Sequence, residues 1–391
     1  MPYKNMYYKY YINYISKKPS RVLSGLLLAV LLLLGGVQRV AAIKVGVLLP
    51  LHDINGDGRR MVEYYRGFLL ACDSLKQEGL SIDINTWNVM EDDNVESYLS
   101  SSALKNCDVI FGPLYSKQVQ AISRFAEQYG TKVVIPFSIN TQEIYSNQDI
   151  FQVYQAPSEL NGRTVDEFMK RFAKCHPVII DCADSTSTKG AFTNELRKRL
   201  DAAGISYNLT SLKSPESSFS KAFSRSEPNV VILNTARSPE LNVAFAKLDG
   251  LLVSTPSLQV SMFGYTEWLM YEKHDSEQFH KYDTYIPSTF YYDGADATVR
   301  SVENKYRFWF KTDLQQALPR FALTGFDQGY YFLKGIAQHG KKFSGARGLM
   351  GYTPLQTPLY FERVGSVGGF KNKAMLLIHY TKSGRREIIR L

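Results

Sequence analysis

Histidine is scarce in this chain. His52, His176, His274, His280, His339 and His379 are scattered, and none sits at a spacing that would hold a metal ion. No G-x-S-x-G elbow and no Walker phosphate loop occurs. The commonest signatures of nucleophilic hydrolysis and of nucleotide binding are therefore missing, no cofactor is implied, and an enzyme is not expected. Low-complexity tracts and internal repeats are absent too. Cysteine is limited to Cys72, Cys107, Cys175 and Cys182, without metal spacing, which leaves three full pairings open. Cys72 falls on the apolar stripe of a helix, where a thiol usually serves as a small buried hydrophobe. Cys175 and Cys182 flank a strand. An extended stretch of that length spans roughly 23 Å, beyond disulfide reach unless His176-Pro177 turns the chain back.

Acidic residues are missing from the N-terminus. Lys4, Lys9, Lys17, Lys18 and Arg21 precede an apolar run from Val22 to Val37, and Val40-Ala41-Ala42 follows. A basic segment, an apolar segment and a small-residue exit make a secretory signal peptide, cleaved near Ala42. The alternative is a retained N-terminal membrane anchor, for which the run is short of the roughly 20 residues a span needs. No cysteine lies near the exit, so lipid modification is not expected. The whole chain carries 46 Lys+Arg and 37 Asp+Glu. Residues 1–42 hold six of the bases, so the remainder has a net charge of +3 rather than +9. A nucleic-acid partner loses its main support, because such binding needs clustered positive charge. The expected location is the periplasm.

At 391 residues and 45% hydrophobic, the chain suits two domains of moderate size. Ile43 to Leu51 is an almost continuous apolar run, the pattern of a strand covered on both faces. Met61, Tyr65, Phe68, Leu69, Cys72 and Leu75 then recur at helical spacing. Strands are predicted at Ile82–Val89, Asp108–Phe111 and Lys132–Pro136, with helices at Val95–Leu104 and Ser116–Tyr129 between them. The alternation restarts after Phe151, with helices at Leu160–Lys174, Gly190–Ala203 and Pro239–Leu248 and strands at Val178–Asp181, Ser206–Leu209, Val230–Leu233 and Gln259–Phe263. Repeated βα units imply parallel, doubly wound sheets, which bind ligands at the carboxyl ends of their strands. Two further helices, Asp296–Thr312 and Gly325–His339, return to the first set. Leu359–Arg363, Ala374–Tyr380 and Glu387–Ile389 then read as antiparallel strands separated by Gly368-Gly369 and Ser383-Gly384.

The expected fold is α/β: two doubly wound parallel-sheet lobes joined by a multi-strand hinge, with C-terminal antiparallel strands. Lobe one is drawn over 43–152 and 286–352, lobe two over 153–285 and 353–391. Several local sequences support a resemblance to the type I periplasmic binding proteins, and in particular to their branched-chain amino-acid receptors. These are the opening IKVGVLLPL, Asp108 to Pro113 with Ser116 (the family's D-V-I-x-G-P-x-x-S turn), VVIPFS at Val133–Ser138, the Phe151-Gln152-Val153 passage, and Gly325 to Tyr330. The resemblance implies a hinged cleft that closes on a small molecule without transforming it. The candidate ligand-binding residues are His52, Ser116, Ser138, Asn140, Ser187, Arg237 and Glu267. Ser116 matches the serine that holds a ligand's charged groups, and a helix start suits that task; the plain alternative is a helix cap. Glu267 approximates the carboxylate that receives an ammonium group. Ile139-Asn140, Ser187 and Arg237 depart from the amino-acid pattern, and Arg237 suits a carboxylate or phosphate.

Two acidic stretches are weighed and set aside. Asp53 to Gly58 fits half of a calcium loop, but Tyr64 stands where the bidentate glutamate belongs. Glu91 to Asn94 reads as a solvated loop and cap. The leading expectation is a solute-binding receptor whose partners are a small-molecule ligand and an inner-membrane transporter. The alternative is a cell-envelope interaction protein, a regulator of peptidoglycan synthesis that docks a cell-wall enzyme on the same fold.

Overall fold

The computed structural model describes residues 42–138, 141–345 and 351–391. The expected signal segment, apart from Ala42, lies outside the described residues, as does Asn140. Strand β1 (Ile43–Leu49) is buried at every position but Lys44, as a run covered on both faces must be. Helix α1 (Gly56–Gln77) starts at Asn55, whose side chain accepts from the Gly58 N–H at 2.9 Å. The half calcium loop is thus a helix cap. There follow β2 (Ile82–Asn88), α2 (Glu96–Leu99), α3 (Ser102–Lys105), β3 (Val109–Phe111), α4 (Val119–Tyr129), β4 (Lys132–Ile135) and β5 (Ile150–Gln152). The single helix expected at 95–104 is broken because Ser101 is extended, with ψ 131°.

The second set comprises α5 (Pro157–Arg171), β6 (His176–Asp181), α6 (Gly190–Ala202), β7 (Asn208–Ser211), α7 (Glu216–Ser220), β8 (Asn229–Leu233), α8 (Ser238–Ser254), β9 (Val260–Phe263), α9 (Glu272–Lys281) and β10 (Thr284–Ser288). The chain ends with α10 (Ala297–Phe310), α11 (Phe321–His339), β11 (Phe361–Arg363), β12 (Phe370–Asn372), β13 (Leu376–Tyr380) and β14 (Arg386–Arg390). Two seven-stranded sheets result, ordered β11-β12-β5-β4-β3-β1-β2 and β14-β13-β10-β9-β8-β6-β7. Each carries a parallel core whose strand order reverses, between β1 and β3 in one and between β6 and β8 in the other. The chain crosses between the sheets three times, at 153–156, 289–296 and 373–375.

One boundary differs from the sequence reading, which places all of 353–391 with the second lobe. Phe370 pairs in parallel with Phe151, so β12 and its hairpin partner β11 extend the first sheet. Only β13 and β14 extend the second, where Ile378 lies opposite Ile286. The three residues of β12 are too short to show alternation, and their parallel partner is distant in sequence.

Both faces of the first sheet are covered. Val45, Val47 and Leu49 point to the side of α1 and α11, with Phe68, Cys72 and Phe332. Leu48 and Ile110 point to the side of α2 to α4, with Cys107 and Ile122. Cys72 and Cys107 are thus separated by the sheet itself, and all four thiols are free. Burial pushes the Cys107 and Cys182 thiols up to about 12, which suppresses the reactive thiolate. A thiol reagent at neutral pH should therefore label Cys175 first and the three buried cysteines slowly. Denaturant should release all four; a mass showing two fewer hydrogens per pair would contradict the arrangement.

Helices α1 and α11 cross almost in backbone contact. A Cβ added at Gly67 would stand 1.7 Å from the Ala322 carbonyl oxygen, and one at Gly325 would stand 1.9 Å from that of Tyr64. Gly325→Ala should cost about 3 kcal/mol by overpacking, outweighing the roughly 1 kcal/mol that alanine adds to helix propensity. Gly250→Ala in α8, where an added Cβ meets nothing within 4 Å, should be neutral or stabilising. Denaturant melts of the two variants check this, and equal effects would refute it.

Candidate functional site

The three crossings leave a cavity of 230 Å³ between the sheets, walled by both lobes and by the hinge. Strand β4 delivers Pro136 and Phe137 to it, and α11 delivers Thr324 and Gln328. From the second lobe come Leu160, Asn161 and Thr164 of α5, Lys189 and Phe192 at the start of α6, and Tyr265 to Glu267 after β9. Hinge residues Val153 to Gln155 and Ser288 to Phe290 close the back. Lys189 Nζ donates to Glu267 Oε1 at 2.6 Å and lies 5.0 Å from the centre of the Tyr265 ring. The two side chains are 22% and 42% exposed, so the pair faces an opening to water.

Asn140 lies outside the described residues, and of the six other candidates only Glu267 lines the cavity. Ser116 and Ser138 are brought together, with their hydroxyls 2.5 Å apart at the ends of β3 and β4, outside the cavity lining. The Ser187 hydroxyl donates to the Asn234 carbonyl at 2.7 Å and accepts from the Lys189 N–H at 3.1 Å. It therefore shapes the turn that presents Lys189. Arg237 does not reach the cavity: it faces Asp184 at 3.5 Å and Glu240 at 3.6 Å, and is 54% exposed. Hydroxyls of Thr186 and Thr235 hold the Asp184 carboxyl down to about 2, so this arginine already has an ionised partner. His52 Nδ1 accepts from the Ile54 N–H at 3.2 Å within its own loop. His52, Ser116, Ser187 and Arg237 follow β1, β3, β6 and β8, the strands at the two reversals of order. The cavity sits nearer the hinge, beyond β4 and β9. Lys189, Asn161, Thr164 and Gln328 carry no motif that would single them out in the sequence; Gln328 lies inside the Gly325–Tyr330 stretch already noticed.

Buried hydrogen bonds fix the walls. The Tyr64 hydroxyl donates to Gln328 Oε1 at 2.7 Å. Gln155 Nε2 donates to the Ala374 carbonyl at 2.6 Å, tying the first crossing to the third. Glu159 of α5 pairs with Lys371 at 2.6 Å and Lys373 at 3.2 Å, across the same join. Asp327 accepts from the N–H groups of Leu355, Gln356 and Thr357 at 2.7, 2.9 and 2.7 Å, and so fastens the segment that brings Thr357 to the cavity.

Among the described residues the lining contains no histidine, cysteine or aspartate, and its one lysine and one glutamate are paired with each other. Among the described residues no cluster of three metal-ligating side chains occurs, and no helix is long and apolar enough to cross a membrane. The arrangement offers apolar walls, hydrogen-bonding side chains and a hinge.

Comparison with known proteins finds no matching family model and no matching curated protein. Among solved structures, a protein from Rhodospirillum rubrum described as a branched-chain amino acid ABC transporter is similar over 89% of this chain and 100% of its own, at 14% identity and a TM-score of 0.58. Full-length LpoA from Haemophilus influenzae is similar over 90% of this chain and 60% of its own, also at 14% identity, with a TM-score of 0.54. These likenesses show the fold, that of the type I periplasmic binding proteins.

Burial pushes the Asp327 carboxyl up to about 7 from its ordinary 3.8, against the pull of the three N–H groups. A folded-state value above the unfolded one means that this group's contribution to stability is full below about pH 4 and declines as pH rises towards 7. Asp327→Asn cannot titrate, and it turns an N–H₂ group towards at least one backbone donor, at a cost of about 1–3 kcal/mol. In urea melts, the gap between wild type and variant should narrow between about pH 4.5 and about pH 7.5. A gap that widens would reverse the assignment.

Proposed function

We propose that this chain is an exported, non-enzymatic receptor that holds a small polar ligand of amino-acid size between its lobes and closes on it by hinge motion. The observation that carries this reading is the cavity itself, which receives side chains from both sheets and from all three crossings. A ligand seated there touches groups whose separation changes when the lobes rotate, so binding favours the closed arrangement. The cavity is smaller than the roughly 300–1,000 Å³ typical of drug-sized ligands, which suits a compact solute. An inner-membrane transporter is the partner such a receptor would serve, and the periplasm is where it would work.

One observation favours a second reading. The charged groups nearest the cleft are already satisfied within the protein: Glu267 by Lys189, and Arg237 by Asp184 and Glu240. A chain that uses its lobes as docking surfaces, such as a cell-envelope regulator of peptidoglycan synthesis, has no need of free charges in its cleft.

Thermal unfolding of the purified protein against amino acids, short peptides and muropeptides separates the two. A true ligand at a hundredfold excess over its Kd should add about 2.7 kcal/mol of stability. No shift across the panel, together with capture of a cell-wall enzyme, would replace the receptor reading with the docking one.

A further inference from the structure

We infer that the cavity selects an uncharged ligand with a flat apolar body and a hydrogen-bonding edge, such as a primary amide, over anions, cations and zwitterions. The inference rests on the receptor reading above and narrows it. Among the described residues, Lys189 and Glu267 are the only lysine, arginine, histidine or carboxylate side chains in the lining, and they neutralise each other at 2.6 Å. An ionic ligand would have to exchange an ion pair already made at 2.6 Å for another of the same kind, whereas a neutral ligand leaves the pair intact.

The rest of the lining is suited to a neutral molecule. Phe137, Phe192, Tyr265 and Phe290 present aromatic rings, and four prolines add apolar surface. Uncharged hydrogen-bonding groups stand free beside the ion pair. Asn161 and the hydroxyls of Thr164 and Thr289 have no side-chain partner among the described residues. Gln328 spends its oxygen on Tyr64 and keeps its amide nitrogen free. Thr164 and Gln328 are 8% and 1% exposed, so both are held firmly as they reach the cavity from opposite lobes. A ligand with adjacent donor and acceptor can bond to both helices at once, and that bridging draws the lobes together. The Lys189–Glu267 pair acts as a built-in charge filter.

Benzamide, benzoate and benzamidinium share one planar shape and differ in charge, so they read the filter directly. Calorimetry on the purified protein should show benzamide binding at least about tenfold more tightly than either ion, and more tightly than the zwitterion phenylalanine. Lys189→Met, which leaves Glu267 unpaired, should shift the preference to benzamidinium. Glu267→Gln should shift it to benzoate. The double variant Lys189→Met with Glu267→Gln, neutral again, should return to benzamide, which also shows that the variants fold. A wild-type preference for any charged probe would overturn the inference and leave the receptor reading intact. Silence towards all four probes and the wider solute panel would remove both.

Discussion

Three passages of chain between two parallel sheets constrain everything else in this protein. Each sheet closes its own core, and the chain joins the two lobes through the crossings at 153–156, 289–296 and 373–375. Side chains beside the crossings must fasten them to one another while leaving space in front. Gln155 reaches Ala374, Glu159 reaches Lys371 and Lys373, and Tyr291 bonds through its N–H to the Gln356 carbonyl at 3.0 Å. The cavity is what remains between this laced join and the strand ends. Its position near the hinge, rather than at the reversals of strand order, follows from where the lacing holds the lobes close.

The first lobe supplies a rigid wall to that space. The near backbone contact of α1 and α11 at Gly67 and Gly325 sets α11 against the sheet. Asp327 then anchors 355–357 to it, and Tyr64 fixes Gln328. A polar side chain fixed by a buried hydrogen bond can act as a measuring point for a ligand, because little rotamer freedom is lost on binding. The second lobe contributes the electrostatic character, through a lysine and a glutamate that satisfy each other.

Much of the architecture was legible in the residues. The apolar run of β1, the helical spacing of Met61 to Leu75 and the repeated βα alternation required covered parallel sheets, since only such layers bury continuous apolar strands on both faces. The late Ser-Gly pair marked the β13–β14 hairpin, whereas the Gly-Gly pair turns β11 into β12, a strand missed by the sequence reading, which sets Ala374–Tyr380 after that turn. Neither pair could indicate which sheet its hairpin would join, because β12 pairs with β5 across more than two hundred residues of chain, and local turn chemistry carries no information about a remote partner.

The site was legible only in part. Glu267 was reached through the family resemblance, and it lines the cavity. The other described candidates are engaged elsewhere: Ser116 with Ser138, Ser187 with the Asn234 carbonyl, Arg237 with Asp184 and Glu240, and His52 within its own loop. By itself the sequence determined most of the strands and helices, that they alternate, and that two lobes form, because hydrophobic periodicity and turn residues act over a few positions. Tertiary structure alone decided that Lys189 meets Glu267, that Arg237 is claimed by Asp184, and that Gln328 and Thr164 face one space. Those pairings join residues tens to hundreds of positions apart, and charge complementarity selects a partner only once the backbone has brought the candidates within a few ångströms.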